Sequence, residues 1–111
     1  MATYDDFDGV YFTIQSIKLT QADVADRISF LVLDNNPTGA AGESVRQFAA
    51  GAGDVRYLPF DGFHSTAVRD LLFREAEAEI VLCADSHIVL RPGALRALLD
   101  YFDTHPRSLD I

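Results

Sequence analysis

The groups best suited to chemistry fall in two short polar clusters, Asp34-Asn35-Asn36 and Asp85-Ser86-His87. Each carries a carboxylate that accepts hydrogen bonds and attracts cations, and the second adds an imidazole. Each also closes an apolar run, Ile28 to Leu33 in the first case and Ile80 to Ala84 in the second. The same residues have quieter readings. Asp34-Asn35-Asn36-Pro37 is a good turn after a strand, and Asp85-Ser86 can cap or turn the chain. His87, beside Ile88-Val89-Leu90, can equally be a structural histidine. His64-Ser65 does not make a hydrolase, because no Gly-x-Ser-x-Gly elbow is present and nothing sets a base beside Ser65. Neither a Gly-x-Gly-x-x-Gly fingerprint nor a Walker A loop occurs, which disfavours dinucleotide and P-loop binding.

The elements around these clusters follow from periodicity. Asp8 is placed to cap a helix from about Gly9 to Thr20, with Val10, Ile14 and Ile17 on one face. Ile28 to Leu33 reads as a buried strand. A second helix is expected from Glu43 to Ala50, with Val45, Phe48 and Ala49 inward and Gly51 and Gly53 as stops. Asp54 to Leu58 reads as a short strand. A third helix, capped by Ser65 or Thr66, carries the stripe Val68, Leu71, Leu72 and Ala76. Ile80 to Ala84 is expected to be a third buried strand. Pro92 suits the first turn of a fourth helix, which buries Leu95, Leu98, Leu99 and Phe102 and ends at His105-Pro106.

Helices thus alternate with uniformly apolar strands of the kind covered on both faces, so residues 1–111 are expected to form one α/β domain, a three-layer sandwich on a mainly parallel sheet. In such sheets ligands bind beyond the carboxyl ends of the strands. Both polar clusters occupy such ends and can line one crevice. The 111 residues, 49% apolar, suit a single core. No apolar stretch approaches the roughly 20 residues of a membrane helix, and the acidic start Met1 to Asp8 lacks the basic residue of a signal peptide, so a cytoplasmic protein is expected. Cys83 is the only cysteine, expected buried and inert. A net charge of −8 argues against nucleic acid as a partner. A phosphate ligand remains open if a cation or a nest of N–H groups offsets that field.

Thr3-Tyr4-Asp5, Val32-Leu33-Asp34-Asn35-Asn36, Ala67-Val68-Arg69-Asp70 and Cys83-Ala84-Asp85-Ser86-His87, followed by Pro92-Gly93-Ala94-Leu95, stand in an order and at intervals that resemble the family 2 glycosyltransferases of the GT-A fold. The resemblance spans nearly the whole chain. It implies a Rossmann-like half-domain that binds a nucleotide-diphosphate sugar, UDP- or GDP-linked, with a divalent metal, for transfer to an acceptor hydroxyl. Under it Asp34 accepts from the base edge, Thr3 and Tyr4 border the base or ribose, and Arg69 leans toward the nucleotide. Asp85 matches the first carboxylate of the family's Asp-x-Asp and faces the ribose or the metal. His87 replaces the second carboxylate, and imidazole suits Mn²⁺ better than Mg²⁺, so the change either selects a softer cation or removes the site.

The resemblance also sets expectations about what is missing. The family has a central strand just before the Thr3-Tyr4 pair and a back half that supplies the acceptor site and the general base. The chain therefore reads as truncated at both ends and inactive alone. A sheet lacking its first strand is expected to dimerise, with Ser108-Leu109-Asp110-Ile111 as the exchanging segment. The competing reading is a non-catalytic α/β module that binds a nucleotide or serves protein association.

Overall fold

Side chains of one strand alternate between two apolar layers, and that alternation organises the molecule. In the computed structural model, which describes residues 1–62 and 65–105, this strand is β2 (Phe30–Asp34). It lies between β1 (Ala2–Thr3) and β3 (Val55–Pro59) in a parallel sheet of order β1-β2-β3. Val32 points to a layer built by α1 (Phe7–Thr20) and α2 (Gly42–Ala52), where it meets Val10, Ile14, Val45 and Ala49. Leu33 points to the opposite layer, against Val68 and Leu72 of α3 (Val68–Glu75). Successive strand residues face opposite sides of a sheet, so two neighbouring apolar positions require two helical layers. The expected α/β sandwich with a parallel sheet is the observed architecture. Val10, Ile14, Val32 and Leu33 are fully buried, each contributing about 1.5–3 kcal/mol by removal from water.

Helix boundaries differ from expectation for local reasons. Asp6, not Asp8, is the N-cap of α1, its carboxylate accepting the Gly9 N–H at 3.0 Å, and Asp8 falls in the first turn. Gly53, at φ 75°, ends α2 as expected. The last helix, α4 (Ala94–Thr104), starts after Gly93, whose φ of 83° only glycine adopts freely, so Pro92 lies in the turn ahead of the helix. A buried Gln21 ties this turn to the end of α1, donating to the Arg91 carbonyl at 2.8 Å and accepting from the Leu95 N–H at 3.0 Å.

The larger departures lie after α3. Ile80 to Ala84 forms no strand, and Ile80, Val81 and Leu82 are exposed. The first strand is present, but only as the two residues of β1, and it pairs with β2 alone. An apolar run becomes a strand by joining a ladder, and β1 offers none along most of its length. For the same reason α4 buries none of its residues fully: Leu95, Leu98, Leu99 and Phe102 are half-buried and line one cavity with Ile80, Val81 and Leu82. Cys83 is half-buried. The expected exchange segment Ser108 to Ile111, Pro106 and His64 lie outside the described residues. Among the described residues no helix is long and apolar enough to cross a membrane.

Candidate functional site

The carboxyl ends of the three strands meet at Asp34. Thr3 is its register partner on β1 and Pro59 its partner on β3. The ladder continues past the strands, with the Asn35 N–H donating to the Thr3 carbonyl at 2.8 Å and the Phe60 N–H to the Asp34 carbonyl at 2.9 Å. Asp34 is 1% exposed. One carboxylate oxygen accepts the Asn36 N–H at 3.0 Å, closing the turn that the sequence offered, and the other accepts the Tyr57 hydroxyl at 2.8 Å. Burial, then that hydrogen bond to Asp34, pushes the Tyr57 phenol well above its ordinary value, so Tyr57 stays a donor. A carboxylate has about four acceptor positions, which leaves Asp34 capacity for a further donor that can reach it. Thr3 is buried and Tyr4 is exposed at the rim.

The second cluster is split between two partners. Arg69 donates to Asp85 at 2.8 Å, so two of the expected site residues do come together. Both side chains are half exposed or more, and such pairs are worth about 0–1 kcal/mol, weak enough for a charged ligand to separate. His87 turns away from Asp85. Its backbone, at φ 66°, donates to the Thr13 hydroxyl at 2.7 Å, and its ring Nε2 meets the second carboxylate oxygen of Asp6. Gly9 makes this contact possible, because a Cβ there would strike both Asp6 and His87. The Gly9 N–H holds the Asp6 carboxyl below its ordinary value, and the His87 ring adds to that effect against the opposing influence of burial.

Nearby, Asp5, at φ 51°, accepts the Ala41 N–H at 2.8 Å beside the start of α2. Asp5, Asp6, Asp34 and Asp85 make this region acidic, and a diphosphate would need a cation to bind there. The arrangement does not fit a metal shared by Asp85 and His87, because each side chain is engaged elsewhere. Among the described residues no group of three or more His, Cys, Asp or Glu is placed to hold an ion.

Residues 1–111 match the family model described as Glycosyl transferase family 2. The chain belongs to that family. No curated protein and no solved structure matches it. The three-stranded parallel sheet with helices on both faces is consistent with a GT-A, Rossmann-like half of a family 2 glycosyltransferase domain.

In this family 2 domain, the parts that sequence reasoning missed are the supports. Asp6 and Thr13 hold His87, the Gly9 N–H holds Asp6, Tyr57 holds Asp34, and Gln21 anchors the turn before α4. A signal was present for one of them. Asp6 precedes Asp8 by two residues and is as good a cap by type. The others depend on long-range partners that periodicity does not report.

Proposed function

We propose that this family 2 domain binds a nucleotide-diphosphate sugar, UDP- or GDP-linked, at the carboxyl ends of β1 and β2, as the donor half of a transfer to an acceptor hydroxyl. The observation that carries the reading is the in-register pairing of Thr3 with Asp34 in a chain matched to the family along its whole length. In this reading Asp34 accepts from the base edge after the crevice opens around it, while Thr3 and Tyr4 border the base or ribose. Arg69 leaves Asp85 for the diphosphate, as a guanidinium fork suited to phosphate oxygens. The divalent cation, Mn²⁺ or Mg²⁺, arrives with the diphosphate and neutralises its charge. Asp85 is the carboxylate offered to it, and His87 joins only on leaving Asp6. Transfer needs a base to deprotonate the acceptor hydroxyl, and no residue described here is assigned that role.

A second reading, a non-catalytic module, is favoured by the closure of the site itself: Asp34 is buried, and Asp85 and His87 are each engaged by the protein. Calorimetric titration with UDP- and GDP-sugars in Mn²⁺ separates the two. Saturable binding that is lost in a folded Asp34→Ala variant supports donor binding. An unchanged affinity in that variant removes Asp34 from the site, and no binding of either nucleotide leaves the second reading.

A further inference from the structure

One face of α1 carries a column of residues that are not apolar. Asp6 at the cap, Gly9 and Thr13 follow one another at spacings of three and four, so they stack along that face. Thr13 is only 2% exposed, and a hydroxyl taken from water costs free energy unless it finds a partner. Its partner lies 74 positions away in the chain: the Thr13 oxygen accepts the His87 N–H at 2.7 Å.

That bond matters because of the backbone it holds. His87 sits at φ 66°, in the left-handed region that a Cβ disfavours and that persists only where the surroundings impose it. Two separate contacts do so. The ring meets Asp6, and the backbone meets Thr13. Gly9 provides the room, since a Cβ there would strike the ring. Loss of the ring contact therefore leaves the backbone contact in place.

The reach of Asp85 follows from this. Two residues span about 7 Å at most, so a pinned His87 backbone confines the Asp85 backbone to a small volume. From there Asp85 extends to α3, where Arg69 donates to it at 2.8 Å. The turn thus bridges α1 in one helical layer and α3 in the other. Beyond the turn, Gln21 at the end of α1 holds the Arg91 carbonyl and the Leu95 N–H. Val89, between the two attachments, is 78% exposed, so polar pins on α1 rather than burial set the course of this segment.

We propose that Thr13 is a positioning residue of the donor site: its hydroxyl fixes the backbone of His87, and through it the reach of Asp85 to Arg69, whether or not the His87 ring stays on Asp6. The effect on donor affinity rests on the donor-binding reading, whereas the dependence of the turn on Thr13 stands apart from it.

The test uses the full chain, ¹⁵N-labelled. Thr13→Val keeps the shape and removes the acceptor, Thr13→Ser keeps the acceptor, and His87→Ala removes the ring but not the amide. In Thr13→Val, exchange of the amide at position 87, relative to its intrinsic rate, should accelerate about fivefold or more. The Asp85 and Ser86 amide signals should shift, with exchange at Ile17 and Val32 unchanged. Thr13→Ser should restore the original values, and His87→Ala should disturb them less than Thr13→Val does. Affinity for a UDP- or GDP-sugar in Mn²⁺ should fall about threefold or more in Thr13→Val and return in Thr13→Ser. An unchanged amide at position 87, or equal acceleration at Ile17 and Val32, overturns the proposal. So does a larger effect of His87→Ala, which would transfer the positioning to the ring, or an unchanged donor affinity in a Thr13→Val chain whose turn has moved. If the unaltered chain binds no donor, the donor-binding reading fails, and the amide measurements alone decide whether Thr13 holds the turn.

Discussion

The segment from α1 to β3 and the segment from Ala76 to His105 have similar apolar patterns and opposite fates. In the first, Val10, Ile14, Val24, Val32 and Leu33 have no exposed surface. In the second, Leu82 is 54% and Val89 78% exposed, and no residue of α4 is buried. Composition does not distinguish them. The difference is that β2 is paired along the whole of one edge and at Leu33 and Asp34 on the other, whereas Ile80 to Ala84 joins no ladder. A buried strand is thus a property of its neighbours, and the same letters stay outside the core when one neighbour is absent.

The contrast breaks if the two segments respond alike to truncation of a large side chain. Leu33→Ala should lower stability by about 2–5 kcal/mol, through lost burial and the cavity left behind. Leu82→Ala should change it by no more than about 0.5 kcal/mol. Equal shifts in the urea midpoint would mean that the second segment is packed as tightly as the first.

Gln21 sharpens the contrast because it joins the two regions. Replacing it with Ala leaves the Leu95 N–H and the Arg91 carbonyl without their buried partner, at a cost of about 1–3 kcal/mol. The loss should be local: amide exchange at Leu95 should accelerate far more than at Val32. Uniform acceleration would make the two regions a single cooperative unit.

The sequence made the first region legible because its signals are local and mutually consistent. Val10, Ile14 and Ile17 recur at helical spacing and all are buried, and Gly53 stops α2 with a positive φ. The first polar cluster was legible as a strand-end loop for the same reason, and Asp34 sits at that end, whereas the second follows a run that forms no strand. The second region was misread where a long-range partner decides. Ile80 to Ala84 satisfies every local criterion for a strand, yet a ladder needs a second chain segment that no window of sequence contains. The split of Asp85 from His87 was also out of reach, since Thr13 and Asp6 lie more than seventy positions away from His87.

Within the candidate site, Tyr57→Phe should cost about 0.5–1.5 kcal/mol by removing one bond to the buried Asp34. It also frees an acceptor position on that carboxylate. Under the donor-binding reading, nucleotide affinity should therefore rise or hold in this variant while thermal stability falls. A parallel fall in both would mean that Tyr57 is needed to aim Asp34.

The smallest expected effect concerns Asp6, which links the well-packed α1 to His87 in the loose segment. Its carboxyl is held below the ordinary value, first by the Gly9 N–H and then by the His87 ring. A carboxylate depressed on folding contributes stability that is present above its unfolded value, about 3.9, and is lost as pH falls through the folded value. Asp6→Asn keeps an oxygen that can cap the helix, so it removes the charge without removing the cap. The difference in unfolding free energy between the two proteins should be about 1 kcal/mol or less at pH 7 and should shrink toward zero as the pH is lowered below 3.9. Comparing the pair cancels every contribution that the two proteins share. A difference that stays constant down to pH 2 would show that Asp6 acts through shape alone, and that the contact with His87 carries no charge-dependent coupling between the two regions.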